Sequence, residues 1–188
     1  MDIGQTLYII DRLDWRRWLE ANFDAADEIL LVYPKKSSGK ARIVYNDAVE
    51  EALCFGWIDS IVKSLDEDHS VQRFSPRKAS NKSYSQPNKE RLKWLLKHGM
   101  VHQSVEEAAR EAVKDEFVFP ADILESIRAS EAAWQQFQSF SPAYRRIRIA
   151  YIESARERPE EFEKRLANFL KKTEEGKQIG FWGIDKYF

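Results

Sequence analysis

Cysteine is all but missing from this chain. Cys54 is the single one among 188 residues, so no disulfide can close within the chain and no thiolate zinc cluster can form. Glycine and proline are sparse, at seven and six, which excludes collagen-like and linker-rich architectures. No apolar run approaches the ~18 residues of a membrane-crossing helix, so no membrane span is expected. Neither charge dominates: 30 Lys and Arg stand against 31 Asp and Glu. The chain therefore lacks the overall basic footprint of a nucleic-acid binder, and nucleic acid is not expected as a partner. Also missing are a glycine-rich phosphate loop, a G-x-S-x-G elbow, the kinase motifs and an H-E-x-x-H pair. His98 and His102 are four apart, but Gly99 interrupts the helix that would align them; no metal and no cofactor is expected. The opening MDIGQTLYIID has neither the positive segment nor the apolar core of a secretory signal, and the expected compartment is the cytoplasm.

What is present is core material. Hydrophobic residues make up 43% and aromatics 13%, enough for a folded interior. Gln5 to Ile10 reads as a short strand. WRRWLEANF after Asp14 repeats its apolar residues at helical spacing, with Trp15 and Trp18 as core candidates. EILLVY up to Tyr33 suits a buried strand, and the basic loop PKKSSGKAR follows, carrying Lys35, Lys36, Lys40 and Arg42. Asp47 and Glu50 have the spacing of a capping box, and Gly56 is placed to stop the helix they begin. Beyond Met100 the pattern is helical apart from a possible strand at Phe117 to Phe119. Helix starts are expected at Ser104, Pro120, Ser130, Ser141-Pro142 and Pro159. The end, GFWGIDKYF, is unusually aromatic and is expected to dock on the domain or on a partner.

The stretch richest in chemistry runs from Asp47 to Asn88. Trp57 to Leu65 alternates as a strand, DEDH turns the chain, and Ser70 to Ser75 returns until Pro76 ends the pairing. Strict alternation would put Trp57, Asp59 and Ile61 on one face, with Arg73 across from Asp59 to Ile61 and sharing that face. Trp57, Asp59, Arg73, Phe74, Arg77, Ser85 and Asn88 then form a candidate ligand site. Arg73 and Arg77 would fork onto an anion, Trp57 and Phe74 would shape the wall, and Asp59 and Asn88 would orient the ligand. Asp59 is also the candidate general base, should the site be catalytic. The structural alternative is an Asp–Arg pair pinning the hairpin, with Trp57 in the core. A second basic cluster, YRRIR at Tyr144 to Arg148, is diluted by glutamates at helical spacing and reads as a solvated, salt-bridged surface.

FGWIDS, then RFSPRK, then Ser85 and Asn88 resemble the YdeI/OmpD-associated, or bacteriocin-protection, family. Phe55, Gly56, Trp57, Ile58, Asp59, Arg73, Phe74, Pro76, Arg77, Ser85 and Asn88 carry the resemblance; Tyr84 stands where that family usually has Trp. The segment from Phe137 through SPAYRRIRIAYIESARERPEEFEKRLANFL is similar to its helical domain. The resemblance implies an association with tolerance of bacteriocins or antimicrobial peptides and supplies no reaction.

The expected fold is α+β: an N-terminal antiparallel sheet of roughly four strands with flanking helices, in residues 1–100, followed by an all-helical unit in residues 101–188. The expected function is binding of a small anionic or polar ligand at the hairpin. Catalysis through Asp59 is the first alternative. The second is a protein partner or homodimer through the C-terminal region.

Overall fold

The computed structural model describes residues 4–78 and 83–180. Its elements run β1 (Thr6–Leu7), α1 (Arg12–Asn22), β2 (Ile29–Pro34), α2 (Tyr45–Cys54), β3 (Trp57–Ser64) and β4 (His69–Pro76). Helices α3 (Gln86–Lys97), α4 (Gln103–Val113), α5 (Ala121–Arg128), α6 (Glu131–Ser139), α7 (Pro142–Glu153) and α8 (Pro159–Glu174) follow. The fold is α+β, as expected, with all described strands in the first half. Two compact units divide it: Met1–Ser83 with Leu92–Lys114, and Tyr84–Arg91 with Asp115–Phe188. The division passes within α3.

In the first unit the sheet order is β1-β2-β4-β3. The β3–β4 hairpin forms as expected, and β4 also pairs antiparallel with β2. β1 runs parallel to β2, however, so the sheet is mixed rather than wholly antiparallel. The reason is connectivity: α1 lies between β1 and β2, and a helical crossover returns the chain in the same direction. β1 is also shorter than Gln5 to Ile10. After Leu7 the chain leaves β2, and Ile9 O accepts from Ile43 N at 3.2 Å instead.

α1 begins before the expected Asp14. Asp11 caps it, its Oδ1 accepting from Leu13 N at 2.7 Å and Asp14 N at 3.3 Å. Trp15 and Leu19 of α1 are buried. The Trp15 ring meets Phe74 of β4 edge-on at 5.5 Å, stacks on Trp18 at 5.3 Å, and its indole N–H donates to Ala48 O at 3.0 Å. α1 and α2 thus close over the inner face of the sheet, which carries Ile29, Leu31, Trp57 and Phe74, all buried.

The capping box expected at Asp47 and Glu50 does not form. α2 starts at Tyr45 with no side-chain cap, because both carboxylates turn to Arg12. Its Nη1 lies 3.1 Å from Asp47 Oδ1 and 2.9 Å from Glu50 Oε2, and its Nε lies 2.5 Å from Glu51 Oε1. Arg16 takes the other Glu51 oxygen at 2.7 Å. Burial alone would depress the Arg12 guanidinium, and Glu51 and Glu50 more than offset it, so its pKa lies above its ordinary value. At the far end of α2, Gly56 takes φ +71°, as the expected stop requires. α4 is capped by the His102 ring, whose Nδ1 accepts from Ser104 N at 3.4 Å, rather than by Ser104 itself.

The second unit is helical. Ile123, Ile127, Phe137, Tyr144, Ile152 and Phe169 form its buried cluster. Ser130 and Ser141 cap α6 and α7 as expected, and Pro159 opens α8. The strand expected at Phe117 to Phe119 is absent: the two rings meet edge-on at 4.9 Å and pack against the cluster. The YRRIR run is not a solvated face. Arg145 lies over the Phe137 ring, Arg146 makes two bonds to buried Glu90 at 2.7 and 2.8 Å, and Arg148 is itself buried. No described helix is long and apolar enough to cross a membrane. The aromatic tail beyond Gly180 lies outside the described residues.

Candidate functional site

The hairpin register decides which of the expected site residues can act together. Asp59 pairs with Phe74, and the next ladder partners are Val62 and Gln72. β3 advances three residues while β4 advances two, so a bulge at Ser60–Ile61 resets the alternation. Asp59 and Val62, not Asp59 and Ile61, therefore share a face with Gln72 and Phe74. Arg73 falls on the opposite face, where its Nε binds Glu28 Oε2 at 2.6 Å. The expectation that Arg73 and Asp59 share a face is thus corrected by a single extra residue.

The other expected residues are committed elsewhere. Trp57 and Phe74 are core residues, and the Trp57 indole donates to Phe23 O at 2.9 Å. The Arg77 side chain donates to Ser83 O, and its backbone N–H to Gly56 O at 2.9 Å. Ser85 and Asn88 belong to the second unit. Ser85 O accepts from Lys89 N at 2.9 Å as α3 begins, and Asn88 Oδ1 accepts from Arg91 Nη1 at 3.0 Å. Of the seven, Asp59 adjoins a polar cavity.

That cavity, of about 380 Å³, opens on the inner face of the sheet beside the start of α2. Tyr33, Arg42, Tyr45, Val62, Ser70 and Gln72 are in its wall. Asp59 sits behind the wall and holds it. Its Oδ2 accepts from the Tyr45 hydroxyl and from Gln72 Nε2, each at 2.8 Å, which fixes the direction of both side chains. Ser70 Oγ donates to Tyr33 O at 3.3 Å, and Arg42 Nη1 donates to Pro34 O at 3.0 Å. The Tyr33 hydroxyl is buried and has no hydrogen-bond partner. Burial, with Tyr45 and Asp59 nearby, pushes its pKa above the ordinary value, while Arg42 works the other way. Tyr33 therefore stays a neutral donor with nothing to donate to. A buried unmade hydrogen bond costs about 1–3 kcal/mol.

Tyr33, Tyr45 and Gln72 were not anticipated as site residues. Tyr33 reads as the last apolar residue of a buried strand. The one available signal was Gln72, a polar residue at the inward position between Ser70 and Phe74. Arg42 belonged to the basic loop, whose Lys35 instead donates to Glu67 O at 2.5 Å. The histidines are also occupied: His98 stacks on Trp94 at 3.9 Å, and His102 lies 4.9 Å from the Phe23 ring. Among the described residues, no cluster of His, Cys, Asp or Glu could hold a metal ion.

The site and fold thus define an α+β protein with a polar cavity in its sheet-bearing unit and a helical second unit. Residues 7–108 match the family model described as a domain of unknown function (DUF8412), and the chain belongs to that family. Residues 116–176 match the model described as bacteriocin-protection, YdeI or OmpD-associated, so the helical unit carries that family's domain. The motifs from Phe55 to Asn88 lie within the first match. No curated protein and no solved structure matches the chain.

Proposed function

We propose that the chain binds a small polar ligand bearing an anionic or acceptor group, in the cavity between Tyr33, Arg42, Tyr45 and Gln72. The observation that carries this is the buried Tyr33 hydroxyl, a donor without an acceptor, on a residue in the wall of a space of small-molecule size. A ligand oxygen would complete that bond, with Arg42 supplying the charge and Tyr45 and Val62 the apolar contact. Asp59 acts as a positioning residue through Tyr45 and Gln72. The anion clamp moves in this reading from Arg73, tied to Glu28, to Arg42. The description of the matched helical domain extends the proposal to a role in bacteriocin protection, with the cytoplasm as the proposed setting.

The test is a thermal-shift titration with benzoate, citrate and glucose 6-phosphate on wild type, Tyr33→Phe and Arg42→Ala. A probe at 100 times its dissociation constant adds ~2.7 kcal/mol, which moves the midpoint by several degrees. At least one probe should stabilise wild type, and both variants should lose most of that shift. Without ligand, Tyr33→Phe should be as stable as wild type or more so, since it removes an unsatisfied buried hydroxyl. No shift in wild type, or equal shifts in all three proteins, would refute the assignment.

A further inference from the structure

A second cavity, within the helical unit, has a different chemistry. It measures about 260 Å³ and lies between α7 and α8, with Arg148, Tyr151, Lys164, Asn168 and Ile179 in its wall. A water molecule takes about 30 Å³ of the liquid, so a tetrahedral oxyanion fits with room to spare. Arg148 is only 8% exposed. Its Nη2 donates to Gly180 O at 3.2 Å and its guanidinium carbon lies 5.6 Å from the Tyr144 ring centroid, but its Nε is buried without a partner. No described carboxylate pairs with it. Two residues earlier on the same helix, Arg146 has Glu90.

A buried cation needs a counter-charge, because leaving water costs several kcal/mol per ion and a neutral carbonyl recovers little of it. Burial accordingly depresses the Arg148 pKa, the reverse of the carboxylate-paired Arg146. The one acid in the cavity wall, Glu161, is held by Arg165 at 2.7 Å. Arg165 is itself fixed by bonds to Tyr151 O at 2.7 Å and Ser154 Oγ at 3.2 Å. Glu161 also feels the charge of Lys164, so Arg148 is the wall cation without a carboxylate. Three cations against one acid leave the wall net positive, with the Asn168 amide as a further donor.

We propose that this cavity is an oxyanion site, in which Arg148 and Lys164 bind the phosphate or carboxylate group of a small ligand. Arg148, in the cavity wall, supplies the charge-assisted bonds, and Lys164 supplies charge at the mouth. The site lies in the unit matched by the bacteriocin-protection domain and is independent of the Tyr33 cavity.

Isothermal titration of the 188-residue chain with inorganic phosphate and, separately, with acetate tests it. Saturable binding that weakens with added salt is expected for at least one of them, and which one binds assigns the group. Arg148→Met should weaken binding by about tenfold or more, equivalent to ~1.4 kcal/mol. Its unfolding midpoint without anion should not fall, since it deletes an uncompensated buried charge. Lys164→Gln, on the outside of α8, should weaken binding several-fold at an unchanged midpoint. Failure of both anions to bind overturns the proposal, as does wild-type affinity in both variants. An Arg148→Met protein that melts lower while Lys164→Gln binds normally would make Arg148 a purely structural residue.

Discussion

Replacing Glu51 by Gln removes one negative charge from between two arginines and changes little in shape. In the folded protein Glu51 is 1% exposed and gives one oxygen to Arg12 at 2.5 Å and the other to Arg16 at 2.7 Å. Breaking a buried ion pair from one side costs about 3–5 kcal/mol, because the remaining charge stays desolvated. Here the two arginine side chains remain 25% and 26% exposed, and Glu50 and Asp47 still attend Arg12, so the low end, about 3 kcal/mol, is expected. For a chain of this length that is a fall of roughly 6–12 °C in the thermal midpoint. Urea unfolding followed by tryptophan fluorescence should report it, since Trp15 of α1 donates to Ala48 O of α2. A cycle with Arg16→Met should give a coupling energy of about 1–3 kcal/mol. By contrast, Glu111→Gln, at the exposed Lys114 pair, should leave stability unchanged. A Glu51→Gln loss no larger than that of Glu111→Gln, or a coupling near zero, would refute the claim that this network holds α1 to α2.

Three further outcomes follow from individual residues. Gly56→Ala should cost about 1–3 kcal/mol by urea unfolding, because φ +71° is strained for alanine and the new Cβ would meet Val105 Cγ1 at 3.1 Å. Cys54 should resist Ellman's reagent at mildly alkaline pH until the protein unfolds, since burial, the largest effect, pushes its pKa up to about 12; prompt labelling of the native protein would contradict this. Asp122, bonded to Arg156 at 2.5 and 3.1 Å, is held below its ordinary value of 3.8. A depressed carboxylate stabilises the fold above the unfolded pKa and loses that contribution as pH falls through the folded one. The midpoint difference between wild type and Asp122→Asn should therefore exist near neutrality and close below pH 3.8.

Local patterns in the sequence determined much of the architecture. Alternation and a turn specify the β3–β4 hairpin, a left-handed glycine ends α2, and Ser130, Ser141 and Pro159 open the helices of the second unit. These features depend on neighbours a few residues away, and such couplings can be read along the chain. Where a distant residue competes for the same group, the local reading fails. Asp47 and Glu50 would cap α2 if Arg12 were not there to claim them, and Ser104 yields its cap to His102.

The candidate site is the clearest case of what tertiary structure alone decided. One extra residue at Ser60–Ile61 puts Val62 on the face of Asp59, while the pairing of β4 with β2 leaves Arg73 on the other face with Glu28. Nothing in the composition of the hairpin fixes a register shift of one residue, since its energy comes from the partners each strand meets across the sheet. The cavity collects Tyr33, Arg42, Tyr45 and Gln72 from three separate segments. The missing partner of the Tyr33 hydroxyl is a property of that assembly. The sequence by itself determined which elements exist; long-range pairing decided which side chains meet, and therefore where a ligand could find an unanswered donor.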